Sequence, residues 1–245
     1  MTDPARRPRR ELPLVQLLPN LMTVAALCAG LTAIRFAITG EFGIAAGLIV
    51  LSAVLDGLDG RLARLLKSES EIGAELDSLG DFVNFGVAPG FLLYLWALNE
   101  MPRAGWIVAL IYICCCLLRL ARFNVISRAP DTEDGTHFQG VPSPAGAMLA
   151  MLPLFLSKVF DDSFALPAPL IAIWMVGVGA LMIGRFKTPS FKKTTVYADQ
   201  VHWMVVGFVA LVAALATYPW ATLLMLDLLY VAILLFTVLQ RKSVV

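Results

Sequence analysis

Charge is scarce in this 245-residue chain: Asp, Glu, Lys and Arg together make up 15% of it. An ordinary soluble domain carries about 25%. With 59% hydrophobic residues, that scarcity excludes a soluble domain of the usual kind. Cysteine is sparse too. Cys28 lies in the first apolar stretch, and Cys114, Cys115 and Cys116 are consecutive in a later one. Consecutive helical residues point in different directions, which places them poorly for a shared metal site and favours small apolar packing residues as the reading. The two histidines, His137 and His202, fall in connections without metal-ligand spacing between them. No internal repeat or low-complexity tract is evident. No small-residue cleavage site follows a short apolar stretch near the start, so the first apolar segment is expected to be retained. Every connection is short, so no appended soluble domain is expected.

Long uninterrupted apolar sequence is what the chain has in abundance. Gly43 to Leu55 and Trp203 to Leu215, for example, contain no charged residue. A hydrocarbon layer about 30 Å thick takes roughly 20 mostly apolar residues to cross as a helix. Backbone groups in lipid must bond within their own segment, so these runs are expected to be helices. The expected fold is all-α and integral to a membrane, with about eight spans near Leu17–Thr39, Phe42–Leu65, Leu79–Leu98, Gly105–Ile126, Pro142–Val159, Leu166–Gly184, Trp203–Tyr218 and Trp220–Leu239. Only Tyr218-Pro219 separates the last two.

The basic residues set an expected orientation, because loops rich in Lys and Arg stay cytoplasmic. Arg6, Arg7, Arg9 and Arg10 precede the first span, and Arg185, Lys187, Lys192 and Lys193 follow the sixth. Lys67, Arg128, Arg241 and Lys242 fall on the same side, against Arg35, Arg103 and Lys158 on the other. Both termini are expected in the cytoplasm. The net charge of +1 hides this asymmetry. The basic face either attracts anionic lipid head groups or does no more than fix topology.

Acidic residues inside membrane segments cost roughly 2.5–3.5 kcal/mol each on insertion scales. One region nevertheless carries four aspartates: Asp56-Gly-Leu-Asp-Gly-Arg-Leu-Ala-Arg64 closes the second span, and Gly73-Ala-Glu-Leu-Asp-Ser-Leu-Gly-Asp81 opens the third. Asp56 and Asp59 are three residues apart, and Asp77 and Asp81 four, so each pair shares a helix face. The two arms of a helical hairpin could present both pairs to one pocket at the cytoplasmic boundary. Four carboxylates so placed repel one another unless cations compensate, and Arg64 neutralises one at most. Hard divalent ions, Mg²⁺ or Mn²⁺, suit an all-oxygen set, and two of them could clamp a phosphate. Gly60 and Gly73 fit a backbone that must come close to a ligand. The competing reading is a salt-bridged hairpin that only orders its loop.

Asp56-x2-Asp59-Gly60-x2-Ala63-Arg64-x8-Gly73-x3-Asp77-x3-Asp81 resembles, at all eight defined positions, the signature of the CDP-alcohol phosphotransferases. That resemblance implies a six-helix catalytic core facing the cytoplasm, here residues 17–202, and often a homodimer. A basic segment, 1–16, would precede the core, and a C-terminal hairpin with a short basic tail, 203–245, would follow it. It also implies metal held by Asp56, Asp59, Asp77 and Asp81, with Asp81 as general base. Gly60, Ala63, Arg64 and Gly73 would line the cytidine and phosphate side, with Asn20 and Thr23 as further donor contacts.

Other stretches narrow the resemblance. Pro19-Asn20-Leu-Met-Thr23, Asp81-Phe-Val-Asn-Phe-Gly-Val-Ala-Pro89, Arg122-Phe123-Asn124 and Phe138-Gln139-Gly140-Val-Pro142-Ser143-Pro144-Ala145 look like the membrane-embedded bacterial phosphatidylserine synthases. This implies CDP-diacylglycerol as donor and L-serine as acceptor, with phosphatidylserine and CMP as products. Glycerol 3-phosphate, choline or an inositol compound are the alternative acceptors. On physical grounds alone, Phe138–Ala145 is equally a proline-stopped loop and helix start. Arg119 and Arg122, three residues apart, either bind the serine carboxylate or a phosphate, or snorkel to the interface without touching substrate. Ser143 is a further candidate acceptor or phosphate contact. A divalent-cation transporter is the remote alternative, disfavoured because the acidic cluster has no second copy and lies at the membrane boundary.

Overall fold

The charge-free stretches are helical in the computed structural model, which describes residues 17–66, 68, 70–128, 138–164, 166–184, 187–188 and 201–242. Helix α1 (Leu18–Ile38) is followed by α2 (Phe42–Leu66) and α3 (Glu71–Asp81). A π-helical turn, Phe82–Val87, carries α3 directly into α4 (Ala88–Trp96). Then come α5 (Pro102–Arg128), α6 (Ser143–Val159), α7 (Ala168–Ile183), α8 (Val201–Thr217) and α9 (Pro219–Lys242). Five stretches are both long and apolar enough to cross a membrane: α1, α2, the continuous run Glu71–Trp96, α5 and α9. The others, α6, α7 and α8, are apolar helices of 16 or 17 residues. The chain is a multi-pass helical membrane protein. The expected N-terminal basic segment, Lys67, His137, Arg185, Lys192 and Lys193 lie outside the described residues.

Prolines mark several helix starts. Pro19, Pro144 and Pro169 each sit in the first turn of their helix, where the missing N–H would have had no partner anyway. Pro219 likewise opens α9 one residue after the break at Tyr218, so the narrowly separated last two helices are distinct. Pro153 lies inside α6 and cannot bond the carbonyl of Leu149. The indole Nε1 of Trp174 on α7 donates to that carbonyl instead, at 2.7 Å.

One expected boundary is displaced. The third span was expected from Leu79 to Leu98, but the helical run begins at Glu71 and ends at Trp96. Ser70 sets the start: its side-chain oxygen accepts from the Gly73 backbone N–H at 3.0 Å. The expected span begins at Leu79 because it counts only residues fit for lipid, whereas the helix itself, the expected second arm of the hairpin, runs on through polar residues of which Asp77, Ser78 and Asp81 are half-buried.

Helix α1 packs along α2 and also meets α3 and α4, while α5 lies on α7, and α6 on both α7 and α9. Ile49, Leu92, Tyr112, Leu149, Phe155 and Met175 are fully buried between them. Helix α8 touches chiefly α9 and leaves Trp203, Phe208 and Val209 exposed. A two-residue antiparallel ladder pairs Phe138 with Thr188 and Gln139 with Lys187. Beside it Gly140 takes a φ of 78°, where a Cβ would lie 2.6 Å from the Met182 carbonyl oxygen.

A close helix approach joins α1 to the π-helical turn. A methyl group at Gly30 would lie 2.1 Å from Asn84 Oδ1 and 3.3 Å from Asn84 Cα. Asn84 is 2% exposed, so it has nowhere to swing. Gly30→Ala is therefore expected to cost on the order of 1–3 kcal/mol as an overpacking change. It would be read as a lower thermal unfolding midpoint in detergent; an unchanged midpoint would mean the two helices separate freely.

Candidate active site

Four helix ends build a polar site at one end of the bundle: the start of α1, the end of α2, the start of α3 and the end of α5. Helical spacing puts Asp56 and Asp59 on one face of α2, and Asp77 and Asp81 on one face of α3. Helix α3 packs mainly against α1 rather than along α2, so the hairpin is splayed at the site. The gap is a cleft of about 270 Å³, lined by Pro19, Asn20, Thr23, Asp59, Gly60, Ala63, Ser68, Ser70, Gly73, Ala74 and Asp77.

Carboxylate oxygens of Asp56, Asp59 and Asp77 all lie within 4.8 Å of one another. Asp56 is central, within hydrogen-bonding reach of both Asp77 and Asp81. Oδ1 of Asp81 is buried without a hydrogen-bond partner. Thr23 Oγ1 donates to Asp59 Oδ2 at 2.7 Å, which fixes the orientation of that carboxylate. Among the described residues no Lys or Arg forms an ion pair with any of the four. The salt-bridged hairpin is therefore not what holds these acids together. Three carboxylates gathered this closely form an oxygen-only set of the kind that suits a hard divalent cation.

The two glycines of the cluster have different reasons. A Cβ at Gly60 would meet nothing within 4 Å, so its bare backbone faces open cleft. A Cβ at Gly73 would meet Asn20 Oδ1 at 2.9 Å and Ser70 Oγ at 3.0 Å. A side chain at Gly73 would thus press on the ends of Asn20 and Ser70, with or without a ligand. Arg64 is exposed, and its Nε donates to the carbonyl of Gly60 at 3.0 Å; it does not line the cleft.

Arg119 and Arg122 part company. Arg122 Nη1 donates to the Ile183 carbonyl at 2.9 Å, capping the end of α7. Arg119 turns inward: Nη1 donates to Ser143 Oγ on α6, while Nε is buried without a partner. Arg119 stands within electrostatic reach of Asp81. Asn124 Nδ2 donates to Ser78 Oγ at 2.7 Å, tying α5 to the turn that carries Asp77. Ser68 and Ser70 went unnoticed in the sequence as site residues. Ser70 could have been found as a helix cap three residues before Gly73.

Removing the hydroxyl that orients Asp59 tests this geometry. Thr23→Val keeps the shape and loses the 2.7 Å bond. Losses of this kind around metal ligands cost about 10- to 100-fold in metal affinity. The expected result is a matching rise in the divalent-ion concentration needed for half-maximal activity; no change would show that the bond does not govern Asp59.

The chain belongs to the CDP-alcohol phosphatidyltransferase family, whose sequence profile matches residues 16–184, and it is accordingly a membrane transferase of that class. It is similar to the CDP-diacylglycerol–serine O-phosphatidyltransferase of Mycobacterium leprae (strain TN), 42% identical over 218 residues, covering 86% of this chain and 69% of that one. It is 35% identical over 235 residues to the enzyme of the same name from Mycobacterium bovis, covering 93% of this chain and 80% of the relative. The Helicobacter pylori (strain 26695) enzyme of that name is 37% identical over 177 residues, 72% of this chain and 73% of the relative.

Proposed function

We propose that this enzyme transfers the phosphatidyl group of CDP-diacylglycerol to the hydroxyl of L-serine, releasing CMP. The observation that carries the proposal is the meeting of Asp56, Asp59 and Asp77 within 4.8 Å at the rim of the cleft, with Asp81 behind them. The names of the relatives at 35–42% identity support serine as acceptor.

Asp56, Asp59 and Asp77, with Asp81 alongside, would hold Mg²⁺ or Mn²⁺, two ions per site. When bound, such ions offset the charge of the pyrophosphate and of the departing CMP. The residues of the chain do the rest. Thr23 keeps Asp59 in position, and Gly60 and Ala63 leave room for the cytidine and phosphate side of the donor. Asn20 adds a polar contact. Asp81 accepts the proton of the serine hydroxyl as its oxygen forms the new bond to the β-phosphorus and the bond to the CMP oxygen breaks. Arg119 is the candidate for the serine carboxylate, since Arg122 is committed to the end of α7. The basic clusters support a cytoplasmic site in the cell membrane, and the family supports a homodimer.

Radiolabelled serine supplied to purified protein with CDP-diacylglycerol and Mn²⁺ or Mg²⁺ tests the reading. Label entering chloroform-soluble lipid, matched by CMP and lost with chelator, is the expected result. CMP release only with another alcohol would overturn serine and keep the reaction class.

A further inference from the structure

Helix α5 and the run from α3 through the π-helical turn into α4 lie side by side in antiparallel order. A Cβ at Gly90 would meet Ile113 Cγ1 at 2.8 Å, and one at Gly86 would meet Cys116 Sγ at 3.2 Å. Tyr112 Oη donates to the Phe85 carbonyl at 2.8 Å, and Asn124 Nδ2 donates to Ser78 Oγ at 2.7 Å. Arg119 lies between Cys116 and Asn124 in the chain, so the same order sets it against the stretch from Ser78 to Gly86 that contains Asp81. Its electrostatic reach to Asp81 agrees with that placement.

A third helix reaches the same place. Ser143 opens α6 between Pro142 and Pro144, whose rings fix φ on either side of it. Its side chain is fully buried, and its Oγ accepts from Arg119 Nη1. Cys116 Sγ stands within hydrogen-bonding reach of Ser143, so the hydroxyl proton has an acceptor while a lone pair meets the guanidinium. Arg119 Nε is buried without a partner among the described residues, which leaves the guanidinium held at one end with a donor to spare. The Phe123 ring, its centroid 6.0 Å from Arg119 Cζ, adds a contact at the limit of cation–π range. An arginine near a helix end without such a hold can extend to the membrane interface instead.

We infer that Ser143 is a positioning residue of the transferase, whose hydroxyl holds the Arg119 guanidinium toward Asp81, where it meets the acceptor. This rests on the reading above that Arg119 binds the serine carboxylate. A hydroxyl with no exposed surface does not touch the acceptor itself, so Ser143 acts through Arg119. The proline-flanked start of α6 thereby gains a part in the reaction: its backbone is stiff at the one residue whose oxygen must stay still.

The test measures CMP release by the purified enzyme in detergent with CDP-diacylglycerol, L-serine and Mn²⁺. Ser143→Ala is expected to raise the KM for serine about 10- to 100-fold, the range for loss of a hydrogen bond to a charged group. The KM for CDP-diacylglycerol and the Mn²⁺ requirement should stay at parent values. Made on top of Arg119→Ala, the same change should add nothing, because the group it acts through has gone. Effects that multiply would show a structural role and overturn the inference, as would a parent-like serine KM in Ser143→Ala. Should Ser143→Ala fail to assemble, Ser143→Cys keeps the shape with a weaker acceptor and is expected to shift the serine KM alone in the same direction; no shift would overturn the inference. A parent enzyme that uses another alcohol and never serine would remove the acceptor reading. The same two changes are then compared with that alcohol, where coupled effects uphold the positioning role and independent ones overturn it.

Discussion

Asp81→Asn is expected to lower turnover about a hundred- to ten-thousand-fold, the usual contribution of a positioned general base, while CDP-diacylglycerol still binds. The amide has the shape of the carboxylate but cannot take up the hydroxyl proton. Three features single out Asp81 from its neighbours. Its carboxyl has a buried oxygen without a partner, it is not one of the three that converge within 4.8 Å, and Arg119 stands within electrostatic reach of it. Donor affinity is expected to survive, because Asp56, Asp59 and Asp77 are untouched. CMP release and equilibrium binding of the donor, measured on the same preparation, separate the two effects. Turnover at the parent rate would remove Asp81 as the base, and loss of donor binding would make it a binding group.

Asp56→Asn should fail in the opposite way. Asp56 lies within reach of Asp77 and Asp81 and converges with Asp59, so it neighbours every other acid of the cluster. Its replacement is expected to raise the divalent-ion requirement by at least the roughly 10- to 100-fold seen for weaker, outer contacts to metal ligands. Donor affinity should fall with it, because in the proposed mechanism the pyrophosphate is held through the same site. The metal-free protein should meanwhile gain thermal stability, since one of four mutually repelling groups has been neutralised. Titrating Mn²⁺ against activity, and unfolding both proteins in chelator, tests both halves. An unaltered metal requirement would count against Asp56 as a ligand.

Much of the acidic site was legible because its signals are local. Four aspartates in helices otherwise fit for lipid stand out against a heavy insertion cost, and spacings of three and four put each pair on one face. The role of Gly73 was not legible, because Asn20, the residue it makes room for, is far away in sequence. Nor was the difference between Arg119 and Arg122. They are three residues apart on one helix, and only the ends of α6 and α7 decide which partner each one meets. The start of α3 was missed for a related reason. Hydropathy counts only the apolar residues, whereas the Ser70 cap starts the helix at Glu71.

The sequence by itself determined that the chain is helical, that it lies in a membrane, and that its aspartates pair on helix faces that could meet. Those properties depend on composition and on helical periodicity, which act within one segment. Tertiary structure alone decided that α3 leans on α1 to leave a cleft, that Thr23 braces Asp59, and that Arg119 turns inward while Arg122 caps a neighbour. Each of these depends on the approach of helices distant in the chain, and no spacing within a single helix encodes it.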